Sequence, residues 1–390
     1  MSFSSLPLSY CTNVHPGRSV AEVEEGLDRY TLAVAKAFGR PLSAGLWLAR
    51  PVVNELLASD AALMRFTDGL LRRSLSCHTL NAFPYGDFHG ARVKEQVYLP
   101  DWSQPQRLEY TLQCAKVLAT LLPAGSEGSI STVPLGFKLL KQPPDFRDAA
   151  IAQLIECAEQ LEQICDSGRT IRLAIEPEPL CLLESTAEAI DFFAGLRLRA
   201  ADAGALEAVQ NHLGLCYDVC HQAVEFEDVT ESIRAIDRAG IRINKLHISC
   251  ALQLDHPTEN QEGREALRRY VEPRYLHQTL AKSSDGQIAR VVDLTDVVID
   301  HPNDDLRNAP QWRVHFHVPV DTERLGPLQT TRADLKKALA TVRELNYAPH
   351  LEVETYTWEV LPGAASGDLV QGLTRELAAT DALLEEGGSR

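Results

Sequence analysis

The sequence predicts a (β/α)8 barrel. Apolar, strand-like runs alternate with longer stretches of helical period, which implies a parallel sheet. The alternation repeats eight times in 390 residues, the count and length of a barrel with loop insertions. An open doubly wound sheet would carry a Gly-rich phosphate turn after its first strand; HPGRS stands there instead, and no P-loop motif occurs.

In order, LPLSYCTN (6–13) is the first strand, followed by a helix from Ser19. AGLWLA (44–49) is the second, with helical residues to about Arg73. LSCHTLNAF (75–83) is the third, then a long loop and a helix near 105–121. GSISTVPLG (128–136) and TIRLAIEP (170–177) are the fourth and fifth, each followed by a helix. LGLCYD, from Leu213, is buried on both faces by its continuous apolar character and forms the sixth; INKLHIS (243–249) is the seventh. HLEVETYTW (350–358) is the last, between helices at 331–346 and 367–385. Residues 250–329 break the rhythm. They read as an elaborated loop after the seventh strand, with a hairpin turned at Ser284-Asp285-Gly286 and a strand WRVHFHVPV (312–320). The whole chain, 1–390, reads as one barrel domain carrying that insertion.

Composition narrows the class. Hydrophobic residues are 45% of the chain, enough for a large core. No apolar run approaches a membrane span, and MSFSSLPLSY lacks the basic and apolar regions of a secretory signal. Nine scattered cysteines, an odd number, fit reduced core thiols and a cytoplasmic protein. The formal net charge of −16 disfavours a general nucleic-acid binder.

Active sites of such barrels form at the C-terminal strand ends. Read in order, those ends carry Glu176 (LAIEP), Asp218 (LCYD), His247 (KLHIS) and Glu354 (LEVET) on strands five to eight. A strand-end carboxylate can simply cap the next helix, but four polar residues on four successive strands converge. Three carboxylates and one imidazole suit a hard or borderline divalent cation, Mn²⁺, Mg²⁺, Co²⁺ or Zn²⁺. His221 stands three residues past Asp218, over the same mouth. Asn13, His15 and His78 are placed there from strands one and three as substrate contacts. On WRVHFHVPV, His315 and His317 share a face by the period of two, and His317 is a rival to His247 for the imidazole ligand. Phe83, Tyr85, Phe88 and Trp102 are candidates for an apolar wall, and Arg92 and Lys94 for an anion contact.

EP after the fifth strand, DxxH after the sixth, His-x-Ser at the seventh and Glu at the eighth resemble the xylose-isomerase-like TIM-barrel superfamily. More narrowly, SYCTNVHPG, LNAFPYGDFHG, VKEQVYLPDW and VHFHVPV resemble the metabolite traffic protein family EboE, a branch of it. The resemblance implies metal carboxylates at Glu176, Asp218 and Glu354, an imidazole ligand at His247 and a substrate contact at His221. It also implies sugar or sugar-phosphate isomerase or epimerase chemistry on a small polar metabolite. In that chemistry Glu176 and Glu354 move a carbon-bound proton and His221 polarises a substrate oxygen. The alternatives are a metabolite carrier without turnover and an endonuclease IV-like phosphodiesterase.

Overall fold

The computed structural model describes residues 6–165, 168–363 and 368–386. Seven barrel strands come first: β1 (Leu8–Cys11), β2 (Leu42–Trp47), β3 (Thr79–Asn81), β4 (Glu127–Thr132), β5 (Thr170–Ile175), β6 (Leu213–Asp218) and β7 (Ile243–Ile248). The eighth, β14 (His350–Val353), enters between β7 and β1 and closes the barrel in the order β1-β14-β7-β6-β5-β4-β3-β2. All eight neighbour pairs are parallel. The barrel and its eight repeats are those the sequence predicts. Helices cover the outside, which is why β2 and β6 are buried along their whole length. The helix Thr186–Asp202 opens with a full capping box, Ser185 against Glu188.

The barrel interior is not wholly apolar. Lys245 on β7 and Glu352 on β14 are fully buried and pair at 2.6 Å. Gly45 makes room for them: a Cβ there would stand 1.6 Å from Glu352 Oε2. Burial opposes both charges. The mutual attraction outweighs it, pulling Glu352 down to about 2 and holding Lys245 above its ordinary value.

The excursion after β7 is a sheet of its own. Only Ser249 separates β7 from β8 (Cys250–Asp255). Then come β9 (Thr279–Lys282), β10 (Ile288–Val291), β11 (Gln311–Val318), β12 (Arg324–Leu325) and β13 (Leu328–Thr330), in the antiparallel order β10-β9-β11-β8-β13-β12. The expected hairpin is β9–β10, and the expected strand is β11. Val314 pairs with Leu252 and Val318 with Cys250, so three residues of β11, His315 to His317, stand opposite Ala251 alone. Such a bulge bends a strand and re-aims its side chains; here it delivers both histidines to the barrel mouth. Among the described residues no helix is long and apolar enough to cross a membrane.

Candidate metal centre

Four consecutive barrel strands supply the site. Asp218 ends β6 and His247 lies opposite it on β7; Glu176 and Glu354 stand one residue past β5 and β14. All four are buried, and one donor atom from each lies within 4.8 Å of all the others. His247 Nδ1 is the focus, 2.9 Å from Glu176 Oε1, 2.9 Å from Glu354 Oε2 and 3.5 Å from Asp218 Oδ2. Its Nε2 faces Glu352 Oε1 at 3.2 Å. An ionised Glu352 only accepts, so Nε2 carries hydrogen and Nδ1 turns its other valence to three carboxylates. Something positive belongs at Nδ1, a proton or a cation. Burial disfavours an imidazolium, but Cys216, Glu176 and Glu354 outweigh that and raise the ring well above its usual range.

The donor set fits a divalent cation. Glu176 Oε2 and Asp218 Oδ2 are buried and make no hydrogen bond. Asp218 divides its work: Oδ1 caps the next helix through His221 N at 2.9 Å and accepts Ser249 Oγ at 2.8 Å, while Oδ2 faces the cluster. Capping and metal binding are therefore both open to this residue. Glu354 is oriented by two amides, Asn13 Nδ2 at 2.9 Å and Asn81 Nδ2 at 3.0 Å, both donating to Oε1. Burial raises Glu176 to about 7. In Asp218 burial is overcome by His221, His317 and His247, which hold it well below the carboxylate range.

A second donor set shares Asp218. Donor atoms of Asp218, His221 and His317 also lie within 4.8 Å of one another. His221 Nδ1 meets Pro177 O at 3.1 Å and His317 Nδ1 meets Glu354 O at 2.8 Å. Carbonyl oxygens only accept, so both Nδ1 atoms carry hydrogen. The two Nε2 atoms then face each other at 3.4 Å, with room for a proton or a cation between them and Asp218. His315 repeats the pattern: Nδ1 donates to Gln278 Oε1 at 2.7 Å, and buried Nε2 has no partner. His247 and His317 thus fall in two different donor groups.

Other expected site residues fare differently. Asn13, His221 and His315 line a cavity of about 60 Å³ above the cluster. His15 does not. Its ring hydrogen-bonds Tyr10 Oη at 2.9 Å and stacks on Tyr30 at 4.5 Å, behind β1. His78 is a correction. β3 begins only at Thr79, so His78 precedes the strand and lies at the opposite, N-terminal end against His350, 4.8 Å between centroids. The apolar run LSCHTLNAF overstates the strand; its polar half is the barrel floor. Phe83 and Phe88 line the cavity, whereas Tyr85 packs on Tyr110 and Trp102 is buried with Nε1 donating to Thr132. Lys94 is buried and committed to protein partners, not presented to an anion. The sequence reading passed over Glu178, Asn81 and Glu352. Glu178 and Glu352 were legible as residues two from a proposed ligand in EPEP and LEVE, on the same side by the strand period. Glu178 borders the cavity, accepts Tyr98 Oη at 2.6 Å and is pushed up to about 8 by burial.

No protein-family model and no curated protein sequence matches this chain. Solved structures do. A D-allulose 3-epimerase from Methylomonas sp., in complex with D-allulose, superposes with a TM-score of 0.50 at 13% identity, covering 98% of this chain and 99% of that one. The fold shared with it is the closed eight-stranded TIM barrel. A putative sugar phosphate isomerase/epimerase from Anabaena variabilis gives a TM-score of 0.51 at 12% identity, covering 99% of this chain and 100% of that one. At such identities the likeness is one of fold, and this TIM barrel's chemistry has to be argued from its own residues.

Proposed function

We propose that the protein is a divalent-metal-dependent isomerase or epimerase of a small hydroxycarbonyl metabolite. The observation that carries this reading is the convergence of Glu176, Asp218, His247 and Glu354 on one point beneath a cavity whose floor includes Glu176 and Glu354. A cation held there supplies Lewis acidity toward a carbonyl and its neighbouring hydroxyl, making the adjacent carbon-bound proton acidic. Glu176 and Glu354 border the cavity from the two ends of the arc β5-β6-β7-β14, so one takes that proton and the other returns it. Asn13 and Asn81 hold Glu354 in one orientation, and His221, a hydrogen-bond partner for substrate oxygen, is fixed by Pro177 O. The finer assignment, an EboE-type metabolite-handling protein of the cytoplasm, rests on SYCTNVHPG, LNAFPYGDFHG, VKEQVYLPDW and VHFHVPV.

The facing Nε2 atoms of His221 and His317 favour a second reading, hydrolysis at a pair of cations sharing Asp218. A phosphodiester backbone as its substrate is opposed by the charge of −16 and by the one lining lysine being committed. The decisive experiment is incubation of metal-loaded protein with hydroxycarbonyl compounds in D₂O, read by NMR. Deuterium at the carbon beside the carbonyl supports the isomerase. Binding with no incorporation under any of Mn²⁺, Mg²⁺, Co²⁺ and Zn²⁺ supports the carrier, and cleavage of an ester panel supports the hydrolase.

A further inference from the structure

The cavity above the cluster has two unlike halves. Its floor is polar: Glu176, Glu178, Glu354, His221 and His315. Its outer wall is Phe83, Phe88, Val93, Val97, Tyr275 and Tyr356. Phe88, Tyr275 and Tyr356 form one aromatic corner, with centroids 4.8, 5.4 and 5.0 Å apart. Of the three tyrosines lining the cavity, Tyr98, Tyr275 and Tyr356, the first two have hydroxyls already used. Tyr275 Oη donates to Phe88 O at 3.1 Å, and Tyr98 Oη donates to Glu178. Lys94 is the only lysine or arginine lining the cavity among the described residues. Its Nζ is held by Glu272 O at 3.1 Å, Tyr275 O at 2.5 Å and Asp293 Oδ2 at 2.6 Å.

This wall is assembled from two loops pinned together. Val93 N and Lys94 N both donate to Arg274 O at 2.8 Å, which joins the loop after β3 to the inserted sheet. Lys94 adopts a left-handed backbone (φ 41°), a conformation a non-glycine residue keeps only when its surroundings impose it. The buried ammonium thus serves the wall, not a ligand.

We infer that the metabolite is amphipathic, a hydroxycarbonyl head on a flat apolar body, and that it is not a sugar phosphate; this rests on the reading proposed above. A phosphate dianion against the outer wall would be buried without a counter-charge. Hydroxyls of a polyol chain that lie against the aromatic corner would give up water without a partner to replace it, losing roughly tenfold in affinity per such group. An aromatic or alicyclic body instead removes apolar surface from water on both sides, a gain of roughly 10–100-fold.

Three probes share one head: dihydroxyacetone, dihydroxyacetone phosphate and α-hydroxyacetophenone. Binding is measured by calorimetry on metal-loaded and on chelator-treated protein. The phenyl compound is expected to bind roughly 10–100-fold tighter than dihydroxyacetone in the loaded protein, and the phosphate no tighter than dihydroxyacetone. Tightest binding by the phosphate, equal binding by all three, or no binding by the phenyl compound overturns the inference. Because the preference arises from the wall, it should persist in the chelated protein even as the overall affinity falls. A protein that shows the preference but no deuterium exchange therefore loses the isomerase reading and keeps the amphipathic ligand. Phe88→Ala should reduce the phenyl advantage to under about threefold; Val97→Ala, a smaller change, gives a partial loss if the first variant does not fold.

Discussion

At the lower end of the barrel His78 and His350 meet with ring centroids 4.8 Å apart; at the upper end His221 and His317 meet at 5.4 Å. Both pairs are buried. Burial pushes His78 and His221 alike down to about 4. What separates the pairs is their partners. His350 Nδ1 is tied to Ser129 Oγ at 2.8 Å, and no described carboxylate completes a donor group with the lower pair. The upper rings are each tied through Nδ1 to a backbone carbonyl and turn two bare nitrogens toward Asp218. Histidine, burial and proximity are common to both ends; only the upper end adds a carboxylate, and that addition makes it a candidate cation site.

The largest effect should come from the residue both donor sets share. Wild-type protein purified without chelator should hold about two divalent ions per chain. His317→Ala should hold about one, and Asp218→Ala none, by elemental analysis. Two ions retained in Asp218→Ala would erase the distinction between the ends. Next, Glu354→Gln keeps an oxygen donor and removes the base. Deuterium exchange should fall about 10²–10⁴-fold while α-hydroxyacetophenone still binds. A smaller effect belongs to Glu352, which fixes His247 from behind. Glu352→Gln should weaken metal affinity about 10–100-fold, visible in competition with a chromophoric chelator; unchanged affinity would make Glu352 merely the partner of Lys245.

The smallest effect lies at the lower end. The folded value of His78, about 4, is depressed from an ordinary 6.5, so the unfolded chain binds the extra proton first. The stability this group contributes is complete above about pH 6.5 and is lost as pH falls from there toward 4, by at most about 1.4 kcal/mol per pH unit. His78→Gln should flatten this acid limb in urea titrations and leave metal content untouched. Altered metal content would contradict the placement of His78 on the barrel floor.

The four-donor set was legible because strand ends declare themselves: an apolar run stopping at Glu, Asp or His has one geometric meaning in a parallel barrel. His317 was legible only as a possibility, since the period of two fixes its face and not what that face meets. The bulge opposite Ala251 that turns it inward depends on the pairing of β11 with β8, residues far apart in sequence. His78 was misplaced for the converse reason. Apolar residues near a strand do not reveal where its hydrogen-bonded ladder begins. Lys94 shows a third limit: a basic residue in a long loop looks solvated until the partner loop is seen to enclose it.

Barrel closure also sets an order on synthesis. No proposed cation donor precedes Glu176, and the last, Glu354, follows the strand that inserts between the first and seventh. A chain leaving the ribosome N-terminus first therefore has most of its barrel before it has a complete cage. A nascent or truncated chain ending before β14 can neither close the ring nor complete the four-donor set, although it already carries Asp218, His221 and His317.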